Sequence, residues 1–274
     1  MITELQLLRE IKQQFGWPVD TLRYAIPSKS RYVYNTQKQL QTLDPLNAKR
    51  VKESLRKLAF AQKWLRLLTV LPWIQGILVT GSVAALNAKE NDDIDIWLLV
   101  TEKRLWLTRS FDILLYGLLG LRRFAGDSEA SPKMRNKFCF NYYMSVSALA
   151  LPEKSPSFAM QFVDAIPLWF RENGVYAELV RQNKWVATFF PSWYAHVKRW
   201  VYDIPFHIKR DGIVVGKILN FFEYGIGCLM LSKAKKQLIL SKKEVYSATF
   251  TTWGTPRILS RYDYETFAKG SQEK

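Results

Sequence analysis

The spacing of apolar residues along the chain predicts a leading helix and a buried strand in its first third. Asp44-Pro45 is a favourable helix start, because an acid can cap the first turn and proline is tolerated there. The helix is predicted to run to about Val70, with apolar residues at helical spacing on one face: Val51, Leu55, Leu58 and Leu65. The stretch Ile74–Thr80, with the sequence IQGILVT, then predicts a strand buried on both faces.

Two further strands are predicted downstream, at 93–100 and 138–144. A turn at Gly81-Ser82 and a short helix over 83–87 precede the first of them, and a helix over about 103–121 separates the two. This order of elements predicts an α+β fold with a small mixed sheet.

The flanking regions have helical character. Residues 1–45 are predicted to form a small unit, with a helix carrying Ile2, Leu5, Leu8 and Ile11, a second helix over 22–26 and a strand-like stretch at 31–34. That stretch could be the wing of a winged helix, a fold that contacts nucleic acid in some proteins and only packs in others. After a bend at 151–156 the chain is predicted to be mainly helical, most clearly over 213–234. The predicted organisation is a helical or winged-helix-like segment (1–45), a core with its leading helix (46–150) and a helical C-terminal domain (151–274).

Composition excludes several classes of protein. The 274 residues are 48% hydrophobic and 14% aromatic, which is typical of a folded chain. Two cysteines and two histidines without ligand spacing exclude a structural zinc site and a disulfide framework. The chain starts without the apolar run of a secretory leader, and no apolar stretch is long enough to span a bilayer. We therefore expect a soluble, cytoplasmic protein.

The net charge of +16 bears on partners. The basic surplus is similar in residues 1–100, 101–200 and 201–274, so it is not a basic tail. Such a field favours polyanions, namely nucleic acids, nucleotides or an anionic membrane surface. An ordinary solvated basic surface is the alternative.

The candidate chemistry lies between residues 81 and 95. Glycine at 81 permits a close approach of backbone to a ligand, and Ser82 adds a hydroxyl, so the pair can hold phosphates. Asp93 and Asp95 project from the same side of their strand, about 6.6 Å apart along it. Two such carboxylates suit Mg²⁺ or Mn²⁺, whereas an edge strand with two solvated acids is the alternative. Asp92 adds a third acid, whose repulsion a bound cation would relieve.

These residues also carry a family resemblance. Thr80-Gly81-Ser82, then ten intervening residues and Asp93-Ile94-Asp95-Ile96, resembles the signature of the DNA polymerase beta-like nucleotidyltransferase superfamily. The stretches GILVTGSVAALNAKENDDIDIWLLVT, RLWLTR and NKFCFNYY…ALALP are similar to those of an uncharacterised group of bacterial nucleotidyltransferase-domain proteins.

The resemblance implies a small mixed sheet and the transfer of a nucleoside monophosphate from a triphosphate, with release of pyrophosphate. It implies that Asp93 and Asp95 bind Mg²⁺ and carry catalysis, and that Gly81 and Ser82 hold the phosphates of the nucleotide, ATP being the expected one. Lys89 could reach a phosphate oxygen, or be a solvated loop lysine.

One departure concerns the third carboxylate that many members carry on a later strand. The strand predicted here at 138–144 has no acid. Its alternation places Cys139, Asn141 and Tyr143 on one face, and Asn141 is the candidate oxygen ligand for the metal. Loss of turnover with retention of nucleotide binding is the alternative.

A basic rim is predicted for the acceptor, formed by Arg122, Arg123, Lys133, Arg135 and Lys137, with a plain solvated loop as the alternative. Tyr142 and Tyr143 could stack on bases or fill a core. The charge favours a nucleic-acid acceptor, RNA ahead of DNA. The rival hypotheses are a protein or small-molecule hydroxyl as acceptor, and a degenerate transferase fold that only binds nucleic acid.

Overall fold

The computed structural model describes residues 32–34, 40–42, 48–124, 134–151, 154, 156–201, 204–207, 213–240 and 257–259. Its helices, in chain order, are α1 (Ala48–Leu65), α2 (Gly81–Ala84), α3 (Leu105–Leu118), α4 (Pro156–Asp164), α5 (Asn173–Gln182), α6 (Pro191–Val201) and α7 (Ile213–Leu240). Short 3₁₀ helices cover Arg66–Val70 and Lys184–Thr188. The strands are β1 (Tyr32–Tyr34), β2 (Leu40–Thr42), β3 (Ile74–Thr80), β4 (Ile94–Val100), β5 (Phe138–Ser145), β6 (Ile166–Phe170) and β7 (Arg257–Leu259).

Five strands among the described residues form one mixed sheet in the order β6-β3-β4-β5-β7. Strand β3 runs antiparallel to β4 and β6, and β5 runs antiparallel to β7. Strands β4 and β5 are parallel, so the chain must cross over between them, and α3 lies in that crossover. The fold is therefore α+β with a mixed sheet, as the pattern of elements predicts.

The central strands are covered on both faces. One core cluster contains Ile77, Val79, Ile94 and Ile96 together with side chains of α1 and α3, and the partly buried Ile226 and Met230 of α7 pack against it. The other contains Leu78, Trp97 and Leu99 with side chains of α4, α5 and α6. Burial on both faces explains why every residue of β3 is buried and why Ile77, Leu78 and Val79 are apolar in succession.

The strand predicted at Ile74–Thr80 has those bounds in the structure, and the other two predicted strands begin or end within a residue of β4 and β5. The short helix lies at Gly81–Ala84 rather than 83–87. The described residues after 151 are mainly helical, in α4, α5, α6 and α7. Strand β6 was not predicted, and it extends the sheet beside β3 across the predicted boundary at 150. The predicted helices in 2–11 and 22–26 lie outside the described residues.

Two smaller features complete the fold. The strand-like stretch at 31–34 contains β1, which pairs with β2 in a separate two-stranded sheet. Helix α7 reaches the N-terminus of α3, where the carboxylate of Glu223 accepts hydrogen bonds from the backbone N–H groups of Trp106 (2.9 Å) and Leu107 (2.8 Å). Within the part of the chain that the structure describes, no helix combines the length and the apolar character needed to cross a membrane.

Candidate functional site

Asp93 and Asp95 lie at the beginning of β4. Ile94 and Ile96 are fully buried in the core on one side of the strand, and Asp95 is half-buried on the other. One carboxylate oxygen of Asp93, one of Asp95 and the Sγ atom of Cys139 lie within 4.8 Å of one another. The alternation of the strand therefore brings the two acids together as the sequence predicts.

Gly81 makes room for one of these acids. Thr80 and Asp95 are register partners in the β3–β4 pair, so the residue after Thr80 meets the Asp95 side chain. Gly81 has a φ of +65°, and a Cβ built on it would lie 2.0 Å from the Asp95 carboxylate oxygen Oδ2. Both the backbone conformation and the contact disfavour a larger residue.

The loop from 82 to 92 is held by Asp92. Its Oδ2 atom accepts hydrogen bonds from the Ser82 hydroxyl (3.0 Å) and from the Lys89 backbone N–H (2.8 Å). Asp92 thus braces the loop from within, and the Ser82 hydroxyl is already engaged by it. The Lys89 side chain is exposed.

Lys57, on α1, holds the same loop from the helix side. Its ammonium group donates to the backbone carbonyls of Glu90 (2.9 Å) and Asp92 (2.7 Å), and its side chain is buried. Burial lowers the pKa of Lys57 from its ordinary value. Sequence reasoning missed this residue, although a lysine at the edge of the buried face of a predicted helix was the available signal.

Cys139 and Asn141 approach Asp95 from β5. Cys139 is the register partner of Asp95 in the parallel β4–β5 pair. The Asn141 amide donates from Nδ2 to Asp95 Oδ1 (2.5 Å), and its Oδ1 accepts from the Cys139 thiol (2.8 Å). Burial, with the neighbouring Asp95 and Asp93, raises the pKa of the Cys139 thiol. Asn141 therefore orients Asp95 and Cys139, and the thiol occupies the third corner of the cluster.

The predicted common face of Cys139, Asn141 and Tyr143 is wrong for Tyr143. The register advances from Ile96–Phe140 to Trp97–Tyr142, so Asn141 is an extra residue, a β-bulge, in β5. The bulge reverses the alternation, and Tyr143 is fully buried on the opposite face, donating its hydroxyl to Asp112. Tyr142 is buried as well and contacts Trp97, so both tyrosines fill the core.

Two of the predicted rim residues differ sharply in position. Arg123 pairs with Asp93, with 2.5 Å between Nη1 and Oδ2, and belongs to the candidate site. Arg122 is only 7% exposed and pairs inside the protein with the fully buried Asp112. The rim prediction for Arg122 is therefore wrong, because this arginine neutralises a buried carboxylate that would otherwise be unpaired.

The remaining rim residues surround the loop. Arg135 is exposed and pairs with Glu90 at 2.8 Å. Lys137 is half-buried, and its backbone carbonyl accepts from the N–H of Ile94 (2.8 Å), beside both acids. Lys133 lies outside the described residues. The structure thus brings Arg123 and Lys137 close to the acids and places Arg135 on the loop.

No family model, no curated protein and no solved structure matches the chain.

The donor set of the cluster fits a divalent cation. Two carboxylates with adjacent oxygens are the ligands that Mg²⁺ and Mn²⁺ prefer, and the thiol adds affinity for softer ions. Arg123 provides the positive charge that balances Asp93 in this structure.

Proposed function

We propose that this protein is a metal-dependent nucleotidyltransferase that moves a nucleoside monophosphate from a nucleoside triphosphate, ATP first among them, to a hydroxyl acceptor. The observation that carries the proposal is the pairing of Asp93 and Asp95 on one side of β4, against a glycine turn in which a side chain would meet the Asp95 carboxylate. Asp93 and Asp95 would hold Mg²⁺ or Mn²⁺, with Cys139 beside them. The metal, when bound, supplies charge neutralisation to the phosphates.

The residues of the chain then have separate tasks. Gly81 and Ser82, at the turn after β3, would hold the phosphates of a nucleotide that faces the two acids. The acceptor oxygen attacks the α-phosphorus, the bond to pyrophosphate breaks, and pyrophosphate leaves with the electron pair. Asp95 orients the acceptor hydroxyl and takes its proton, with Asn141 fixing the carboxylate through its amide.

A nucleic acid, RNA ahead of DNA, is the acceptor that the charge of the chain favours. A net charge of +16 attracts a polyanion and disfavours a strongly cationic substrate. A protein or small-molecule hydroxyl stays the alternative acceptor.

A second candidate function is nucleic-acid binding by a degenerate transferase fold. The observation that favours it is the third corner of the cluster, where a protonated thiol stands in place of a carboxylate. Such a protein would bind RNA in a salt-sensitive manner and would keep this binding in Asp93→Asn.

Pyrophosphate release tests the two functions against each other. The wild type is assayed with Mg²⁺ or Mn²⁺, each common nucleoside triphosphate and total cellular RNA, beside Asp93→Asn and Asp95→Asn. Glu102→Gln, at an exposed acid on the turn after β4, removes the same charge away from the site and serves as the control. Release by the wild type and the control alone supports the transferase. If none of the four proteins releases pyrophosphate while labelled RNA still binds, the transferase is overturned.

A further inference from the structure

The contact between Arg123 and Asp93 suggests a role for this arginine that rests on the proposed function. The ion pair is partly buried, with side-chain exposures of 20% and 16%, and it engages one of the two carboxylates that would hold the metal. We propose that Arg123 exchanges partners during the reaction: it pairs with Asp93 before the metal binds, and it binds the triphosphate of the incoming nucleotide once the metal takes Asp93.

The backbone that carries Arg123 is fixed. Its N–H donates to the carbonyl of Phe138 (2.9 Å), and the N–H of Phe138 donates to the carbonyl of Leu121 (2.6 Å), so this segment is attached to the start of β5. Any exchange is therefore made by the long side chain of Arg123 and not by the loop.

The neighbouring residue strengthens this anchor. Arg122 points into the core and pairs with Asp112, which also accepts the hydroxyl hydrogen bond of Tyr143. Consecutive arginines thus have opposite surroundings, one buried among core groups and one beside the acids. The buried pair of Arg122 therefore fixes the backbone from which Arg123 extends.

Charge explains why the exchange would occur. A divalent cation that binds Asp93 meets the guanidinium at the same carboxylate, and the two positive charges repel each other. A metal-bound triphosphate brings several anionic oxygens to the same place, and a guanidinium binds phosphate oxygens in a two-pronged manner that an ammonium cannot reproduce. Arg123 should therefore oppose the free metal and favour the metal with its nucleotide.

The test measures both affinities in the full-length protein. Binding of Mn²⁺ alone is followed by the electron paramagnetic resonance of free Mn²⁺. Binding of α,β-methylene-ATP, a non-cleavable analogue, is followed by calorimetry at saturating Mn²⁺. Arg123→Gln is expected to bind Mn²⁺ alone about fivefold more tightly and the analogue about tenfold more weakly, the effects of losing a repulsive charge and a charged hydrogen bond. Arg123→Lys should fall between the wild type and Arg123→Gln in both measurements.

Arg181→Gln is the matched control. Arg181 pairs with Glu178 at 2.9 Å on α5, with side-chain exposures of 29% and 22%, so this variant loses the same charge from a similar ion pair. Unchanged affinities in Arg181→Gln, with opposite shifts in Arg123→Gln, support the exchange. Equal shifts in the two variants would assign the effect to net charge and overturn it.

Failure of the exchange and failure of the proposed function give different results. If the wild type binds Mn²⁺, Asp95→Asn loses it and Arg123→Gln changes neither affinity, the exchange is overturned while the metal site stands. If the wild type and Asp95→Asn bind Mn²⁺ equally, both the exchange and the proposed function fail. Thermal unfolding of each variant shows whether the fold is intact, and Arg123→Lys, which keeps the charge, carries the test should Arg123→Gln unfold.

Discussion

At the scale of single residues, the candidate site depends on a close fit between a glycine and an aspartate from neighbouring strands. Gly81 adopts a left-handed conformation, and the Asp95 carboxylate fills the space that any side chain at 81 would need. A glycine at 81 therefore leaves the room in which the Asp95 carboxylate lies.

Gly81→Ala should destabilise the protein more than a glycine substitution that brings only backbone strain. Gly120 offers the comparison, because its φ is +67° and nothing lies within 4 Å of a Cβ built there. We expect Gly120→Ala to lower the free energy of unfolding by about 1–2 kcal/mol, and Gly81→Ala to lower it by at least about 1 kcal/mol more. Urea denaturation measures both. Equal losses would mean that Asp95 moves aside without cost.

Cys139→Asp should increase the preference of the site for Mg²⁺. The substitution places a carboxylate where the thiol now completes the cluster with Asp93 and Asp95, and hard cations prefer oxygen ligands. We expect half-maximal pyrophosphate release at a Mg²⁺ concentration lower by on the order of tenfold. Cys139→Ser removes the thiol without adding charge and should show no such gain. An equal gain in both variants would contradict a ligand role for the carboxylate at this position.

How far the sequence predicts these residues depends on the range of the interaction. The common side of Asp93 and Asp95 follows from strand alternation alone, and the approach of Cys139 to them requires only the pairing of β4 with β5 in addition. The position of Tyr143 was missed because one inserted residue, Asn141, reverses the alternation of β5. The burial of Arg122 was missed because its partner Asp112 lies on another element and no local pattern shows it.

At the scale of elements, α7 contributes a long-range cap to α3. The first N–H groups of a helix have no partner within it, and two of those in α3 donate to Glu223, which is 2% exposed. Burial raises the pKa of Glu223, although the backbone hydrogen bonds oppose the shift. The attachment of α7 therefore carries a titratable group.

The raised pKa of Glu223 predicts the direction in which the free energy of unfolding changes with pH. The folded state holds the proton more tightly than the unfolded state, so this stabilisation is complete below the ordinary value of 4.5 and is lost as pH rises through the folded pKa. The free energy of unfolding, measured by urea denaturation at a series of pH values from 4.5 upward, should contain a decrease with pH in the wild type that Glu223→Gln lacks. Glu53, whose pKa is lowered by its hydrogen bond to Arg56, contributes equally to both proteins. The same dependence of the free energy of unfolding on pH in the wild type and in Glu223→Gln would contradict the prediction.

The strands show where element prediction fails. Strands β3, β4 and β5 are rich in apolar or aromatic residues and were predicted close to their ends. Strand β6 was missed because it contains Pro167, which usually argues against a strand. Its place at the edge of the sheet explains why proline is tolerated there, since one side of an edge strand needs no N–H donors for a neighbour.

At the scale of the whole molecule, the spread of positive charge predicts how RNA binding responds to salt. Binding that depends on phosphate contacts releases counterions, so log K should fall linearly with log salt concentration, by about 0.7 for each contacted phosphate of a single strand. Fluorescence anisotropy with labelled RNA, over salt concentrations from about 50 to about 300 mM, measures the slope. Asp95→Asn should leave the slope unchanged, because it alters the site and not the basic surface. A flat salt response would contradict a polyanionic partner.

The parallel pairing of β4 and β5 has a consequence for biosynthesis. Asp95 and its register partner Cys139 are separated by about forty residues of crossover, and a ribosome adds roughly 5–20 residues each second. Both aspartates therefore leave the ribosome seconds before the thiol that completes their cluster. A chain that stalls within the crossover carries the two acids without Cys139, so only a chain synthesised past β5 can assemble the complete cluster.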